Sequence, residues 1–132
     1  MSGRAQAASE QAKHVFQAVV MTALADGKYE PAEARMVTEL VRLDPGFAAI
    51  VDPQTVAQDI ALRFRRDGLE ACLAGIARGI SAPAERERAF RLCAQVMGVD
   101  GETSGEEALL LGTMQELFGF SNEDVRRLIT AR

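Results

Sequence analysis

Apolar residues recur at helical spacing along nearly the whole chain. The first stripe follows Ser9 and runs from Ala12 to Leu24 in steps of three and four residues, which predicts a helix with one buried face. Glycine and proline divide the later stripes, because glycine ends helices and proline suits their first turn. The helices predicted in this way begin near Ser9, Pro31, Pro53, Leu69, Pro83, Ser104 and Ser121 or Asn122.

This pattern predicts an all-α protein of about seven helices. Only the segment from Phe47 to Val51 resembles a strand, and it is too isolated to pair within a sheet. A chain of 132 residues is expected to bury one hydrophobic core. We therefore expect a flexible N-terminus over residues 1–8 and a single helical domain over residues 9–132.

The chain also repeats itself with an offset of 74 residues. Each copy reads as a long helix, an Asp-Gly turn and a second amphipathic helix. The simplest arrangement is two such helix–DG turn–helix hairpins, related by a pseudo-twofold axis and packed into one bundle. The matched pairs are Asp26 with Asp100, Gly27 with Gly101, Glu33 with Glu107, and Leu40 with Met114.

The two copies read ALADGKYEPAE at residues 23–33 and MGVDGETSGEE at residues 97–107. A helix that ends in an apolar run, then A-D-G with a glutamate seven residues after the aspartate, given twice in a helical chain, resembles the tellurite-resistance protein TerB family. The second copy departs from that pattern at Val99 and Gly105. The resemblance implies an all-helical fold, a cytoplasmic stress-response context and divalent metal binding by paired acidic residues. It implies no reaction.

Acidic residues around the two DG turns are therefore candidate metal ligands. Calcium takes about six to eight oxygen ligands and magnesium about six, so one carboxylate is not enough, and a twofold arrangement would bring both groups together. A regular EF-hand is excluded, because its bidentate glutamate lies at the twelfth position of the loop. The candidate ligands are Asp26, Glu30, Glu33, Asp100, Glu102 and Glu107, and the cofactor is a divalent metal ion of unknown identity.

A second interpretation of the same residues needs no metal. Ser104 and Glu107 have the spacing of a capping box, and Glu33 is expected at the same third position of its helix. Carboxylates in a first turn are stabilised by the helix dipole, typically by about 0.3–1 kcal/mol. The DG turns then only cap helices, and the chain is a structural protein–protein interaction domain. Its candidate anchors are Phe47, Ile50 and Phe120.

The net charge and the cysteine positions limit the classes of partner and the compartment that the sequence predicts. The net charge of −4 does not favour nucleic acid, and the run ERERAFR at residues 85–91 alternates in sign as a solvated helix face does. No segment approaches the ~20 apolar residues that a membrane span needs. Cys72 and Cys93 lack metal or redox spacing, so we expect reduced, structural thiols in a cytoplasmic protein.

Catalytic motifs are missing from the sequence. There is no phosphate-binding glycine loop and no zinc spacing, and the single His14 lies at the edge of an apolar face, where a half-buried structural histidine is expected. We therefore predict that the chain is not an enzyme. A protein partner is expected, and a homodimer is left open.

Overall fold

Helices dominate the computed structural model, which describes residues 2–23, 31–97 and 105–130, with side chains at 10–23, 34–42, 44–96 and 108–129. The described residues form seven α-helices and no strand, which confirms the all-α prediction. Two 3-10 helices, Val41–Leu43 and Pro45–Ala49, lie between α2 and α3. The α-helices are α1 (Ser2–Ala23), α2 (Pro31–Leu40), α3 (Pro53–Asp67), α4 (Leu69–Arg78), α5 (Pro83–Met97), α6 (Gly105–Phe118) and α7 (Asn122–Thr130).

Proline positions predict three of the helix starts correctly. Pro31, Pro53 and Pro83 are the first residues of α2, α3 and α5, where the missing N–H of proline costs nothing. The predicted start of α1 at Ser9 is wrong, because α1 begins at Ser2. The residues that precede Ser9 are mostly alanine, arginine and glutamine, which favour helix. The flexibility predicted for residues 1–8 stays a prediction.

Glycines end two of the helices in the left-handed region of backbone space. Gly68 follows α3 with a φ of 87°, and Gly119 follows α6 with a φ of 76°. After α6 the Gly119 and Phe120 amides donate to the carbonyls of Glu116 and Gln115, which is the Schellman pattern. The DG turns at residues 26–27 and 100–101 lie outside the described residues.

One apolar cluster forms the core, with α1 and α5 at its centre. These two helices pack more extensively on each other than any other pair, and α1 also contacts α2, α3 and α4. Phe16 and Val19 of α1 are fully buried, as are Phe90 and Cys93 of α5. Burying one large apolar side chain stabilises a fold by roughly 1.5–3 kcal/mol, so this central pair contributes much of the stability.

Burial follows the 74-residue repeat at most positions, although Gln17 and Met21 are buried and their counterparts Arg91 and Gln95 are exposed. Every described residue that is buried in α5 lies 74 positions after a buried residue of α1, and the two buried residues of α2 match buried residues of α6. The pseudo-twofold relation between the hairpins stays a prediction. The buried pairs are Val15 with Ala89, Phe16 with Phe90, Ala18 with Leu92, Val19 with Cys93, Val20 with Ala94, Val37 with Leu111, and Leu40 with Met114.

A phenylalanine pair recurs in each half. The Phe16 ring meets Phe47 edge to face with 5.2 Å between ring centroids, and the equivalent Phe90 ring meets Phe120 at 5.6 Å. Phe47 is fully buried, so its assignment as an exposed anchor is wrong. Sequence reasoning missed this because the segment around Phe47 is short and lacks a full helical stripe. Ile50 and Phe120 are half-buried against the core.

Candidate functional site

The predicted metal ligands lie at residues 26–33 and 100–107, in and just after the segments that join α1 to α2 and α5 to α6. We call these two segments the junctions. Asp26, Glu30, Asp100 and Glu102 lie outside the described residues. Glu33 and Glu107 lie in α2 and α6, and their side chains lie outside the described ones, so their capping role stays a prediction. Among the described side chains no group of three histidine, cysteine, aspartate or glutamate residues is arranged to hold a metal ion. The shared metal site therefore stays a prediction.

The helices on either side of the two junctions pack as pairs. The α2 helix packs on α1 and α3, whereas α6 packs on α5 and α4. Each junction thus links two helices that contact each other, as the hairpin prediction requires. Ser104 lies outside the described residues, and α6 begins at the next residue, Gly105.

His14 occupies a half-buried position on α1, as the sequence predicts. Its Nδ1 lies 2.8 Å from Oε1 of Gln17, so Nδ1 carries the hydrogen and donates it to the amide oxygen. The imidazole ring lies so close to Gly79 that a Cβ there would overlap it. The ring therefore fixes the end of α4 against α1, and glycine is required at that contact.

Both cysteines are buried free thiols, as predicted. Burial raises the pKa of Cys93 well above its ordinary value. Burial also raises the pKa of Cys72, although the neighbouring Arg63 guanidinium opposes that effect. Because the thiolate is the reactive form, neither side chain is suited to act as a nucleophile near neutral pH.

Charged residues at the start of α5 do more than solvate a helix face. Arg86 donates from Nε to the carbonyl of Ile80 at 2.7 Å, and its guanidinium lies over the ring of Phe118. Glu87 forms an ion pair with Arg127 of α7 at 3.3 Å. The interpretation of residues 85–91 as a solvated face is wrong for Glu85 to Arg88, which are half-buried. Packing of α6 and α7 beside α5 covers these side chains.

The most buried ion pair joins α5 to the segment after α2. Arg88 donates from Nη1 to Oδ1 of Asp44 and from Nη2 to Oε2 of Glu85, both at 2.6 Å. Asp44 Oδ1 also accepts from the amide of Gly46 at 2.8 Å, which caps the second 3-10 helix. The Asp44 and Arg88 side chains are 15% and 24% exposed, so solvent screens this pair far less than a surface pair. The sequence places Asp44 in a turn after the second helix and gives no sign of its ion pair with Arg88.

A groove of about 570 Å³ lies beside this pair, between α5 and α7. Leu92 and Leu128 contribute apolar surface, and Arg91 and Gln95 lie at the polar side. Arg91 is exposed and makes no ion pair with any side chain that the structure describes. An anionic group is therefore the ligand that this edge of the groove would attract.

A second and more open groove, of about 800 Å³, lies between α4 and α6 and ends at the start of α7. Glu70 lines one side of it, and Leu109, Gly112, Thr113 and Glu116 of α6 line the other. Leu109 is 58% exposed and adds an apolar side chain to the surface of this groove. We refer to these five residues as the acidic groove.

Among the described residues, no helix combines the length and the apolar character needed to cross a lipid bilayer. Comparison of the chain with protein-family models, with curated proteins and with solved structures gives no significant match. The resemblance of the two DG segments to a known family therefore rests on the sequence motifs alone.

Proposed function

We propose that this chain is a TerB-like helical module that binds a divalent cation through its two DG junctions and serves a stress response of the tellurite-resistance type. The observation that supports this proposal is the repeat, because five buried residues of α5 and two of α6 lie 74 positions after buried residues of α1 and α2. Two equivalent junctions would each present three carboxylates. The proposed ligands are Asp26, Glu30 and Glu33 in one junction and Asp100, Glu102 and Glu107 in the other.

Carboxylates are suitable ligands for a divalent cation. Hard divalent cations prefer oxygen ligands, and several carboxylates held close together repel one another until a cation neutralises them. The repeat places Asp26 with Asp100 and Glu33 with Glu107 at matched positions, whereas Glu30 corresponds to Ser104 and Glu102 to Lys28. Such a site would bind a cation without requiring histidine or cysteine.

The proposed module is not an enzyme and acts in the cytoplasm together with a protein partner. The only histidine is engaged with Gln17, and both thiols are buried with raised pKa values, which leaves little nucleophilic or acid–base chemistry among the described side chains. Free buried cysteines are typical of proteins from reducing compartments.

Metal titration with a matched pair of variants tests the proposal. Asp26→Asn combined with Asp100→Asn removes two carboxylates and keeps their size and turn preference. The native protein should melt at a higher temperature with calcium, magnesium, manganese or zinc, with a gain of about 1.4 kcal/mol when the free cation is about ten times Kd. The double variant should lose most of this gain.

Glu10→Gln combined with Glu39→Gln is the control, because it removes the same charge from exposed side chains outside the junctions. This control should keep the native response to the cation. If all four cations leave the native melting curve and amide spectrum unchanged, the metal proposal fails. A control that loses the response as fully as the Asp26 and Asp100 variant would show general charge screening instead of a site.

The alternative function is that of a protein–protein interaction domain in which the DG turns only cap helices. The acidic groove favours this second candidate, because it exposes Leu109 beside open space on α6. Its test is whether a protein partner binds in the groove, which Leu109→Asp should prevent.

A further inference from the structure

One face of α1 is covered within the chain, whereas the equivalent face of α5 is open. Gln17 and Met21 of α1 are buried. The residues 74 positions later, Arg91 and Gln95 of α5, are exposed. The two helices therefore differ on a face that the repeat would otherwise make alike.

Helix α4 packs on this face of α1. The imidazole of His14, one turn before Gln17, lies against Gly79 at the end of α4. One turn earlier still, Oε1 of Gln11 accepts from the amide of Ala82 at 3.1 Å, so the chain follows α1 beyond α4. A helix of the same chain thus lies on the face of α1 that the repeat matches with Arg91.

A groove lies at the corresponding place on α5. The α4 helix packs on α1 and α6, and the repeat matches these two helices with α5 and α2. The groove of about 570 Å³ is lined by α5, by the end of α7 and by Asp44, which follows the 3-10 helix after α2. The described residues therefore leave open the place where the repeat would put a counterpart of α4. The groove residues of α5 that match the covered face of α1 are Arg88 with His14, Arg91 with Gln17, and Gln95 with Met21.

Arg91 gives this groove a positive charge without a partner among the described residues. Two arginines and one aspartate line the groove, and the aspartate is engaged by Arg88. The acidic side chains on the neighbouring turns also have partners. The pairs are Asp44 and Glu85 with Arg88, and Glu87 and Asp124 with Arg127. An acidic side chain on an occupant would supply the pair that Arg91 lacks.

Apolar side chains form the floor of the groove. Leu92 and Leu128 line it and are almost fully buried, so the floor is continuous with the core. Ile129 also lines it and is only half-buried. An occupant that covers Ile129 with apolar side chains would remove further apolar surface from water, which favours binding.

We propose that a helix of a partner protein, with apolar and acidic side chains on one face, docks in the groove between α5 and α7. The docked helix takes the place on α5 that α4 has on α1. Its carboxylate faces Arg91, and its apolar side chains cover Ile129. Helices that bind in grooves use side chains three and four residues apart, so one helix can make both contacts.

Two synthetic peptides test this docking site. Both are amphipathic helices of leucine and alanine, of about 18 residues because much shorter isolated helices are marginal in water, and they differ only in carrying glutamate or lysine beside the leucines. The site does not depend on the DG junctions, so fluorescence anisotropy is measured with a chelator present. The native chain should bind the glutamate peptide more tightly by about tenfold or more. The net charge of −4 would by itself favour the lysine peptide, so the opposite preference is specific to the groove.

Charge reversal at Arg91 gives the decisive comparison. Arg91→Glu should reverse the order of the two peptides, because it places like charges opposite one another for the glutamate peptide. Arg65→Glu is the control, since it makes the same change at an exposed arginine of α3 outside the groove, and it should keep the native order. Amide shifts caused by the glutamate peptide should map to residues 91–95 and 128–129.

Three results would overturn the docking site. They are a native chain that binds neither peptide or prefers the lysine peptide, an Arg91→Glu variant that keeps the native order, and self-association that the glutamate peptide does not displace, which would put a second copy in the groove. A chain that fails these tests and still responds to cations would leave the proposed function standing.

Discussion

The two helix pairs α1–α2 and α5–α6 bury many equivalent positions and continue in different ways. After α2 the chain forms two 3-10 helices, which place Phe47 fully inside the core and Asp44 against Arg88. After α6 it turns at Gly119 directly into α7 and leaves Phe120 half-buried. The repeated apolar positions therefore define the packing that both halves share, whereas the segments after each helix pair make the contacts that differ.

Truncating Phe47 and Phe120, which contact the equivalent residues Phe16 and Phe90, should give the largest difference between the halves. Phe47→Ala removes a fully buried ring and should cost about 3–5 kcal/mol of unfolding free energy. Phe120→Ala should cost roughly half as much, because hydrophobic stabilisation scales with the area removed from water and Phe120 is only partly covered. Urea denaturation followed by circular dichroism measures both values. Equal losses would show that the two halves are more alike than their burial suggests.

Sequence reasoning succeeded where the signal was local. The spacing of apolar residues and the positions of Pro31, Pro53 and Pro83 depend on neighbours within a few residues, so they predicted the helices and most of their starts. Gly119 ends α6 with a positive φ, in keeping with the rule that glycine ends helices.

Long-range contacts were not predicted in the same way. Asp44 and Arg88 are 44 residues apart in sequence, and nothing near either residue indicates the other. The burial of Phe47 depends on how the 3-10 segment folds over α1, which a short apolar run cannot reveal. The candidate metal site poses the same problem, since its ligands come from junctions 74 residues apart and their side chains lie outside the described ones.

The ion pair between Asp44, which follows α2, and Arg88 of α5 gives the second prediction. Asp44→Ala should cost about 1–3 kcal/mol, because it removes the cap on the second 3-10 helix and leaves the partly buried Arg88 with Glu85 alone. Glu39→Ala is the matched control, since its pair with Arg42 is about 70% exposed and spans 3.5 Å. That control should cost less than about 0.5 kcal/mol. Similar losses for both variants in chemical denaturation would contradict the importance of the Asp44 contact.

The smallest expected effect concerns the capping box that belongs to the second half alone. Ser121 Oγ accepts from the amide of Asp124 at 3.0 Å, and Oδ2 of Asp124 accepts from the amide of Ser121 at 2.9 Å. Ser121→Ala should therefore cost about 1 kcal/mol of unfolding free energy, the usual loss for a good N-cap. A loss close to zero would mean that α7 does not depend on its cap.

The same box predicts how stability changes with pH. The hydrogen bond from the Ser121 amide, then the Ser121 side chain and Arg127, lower the pKa of Asp124. A carboxyl group whose pKa is lower in the folded state stabilises the fold above its unfolded pKa, near about 4, and loses that contribution as pH falls through the folded value. Asp124→Asn removes the charge and keeps an accepting oxygen. The native chain should therefore be more stable than this variant at neutral pH, and the difference should shrink steadily on acidification below about pH 4. A difference in unfolding free energy that stays constant, or that grows as the solution becomes more acidic, would show that the charge of Asp124 does not stabilise α7.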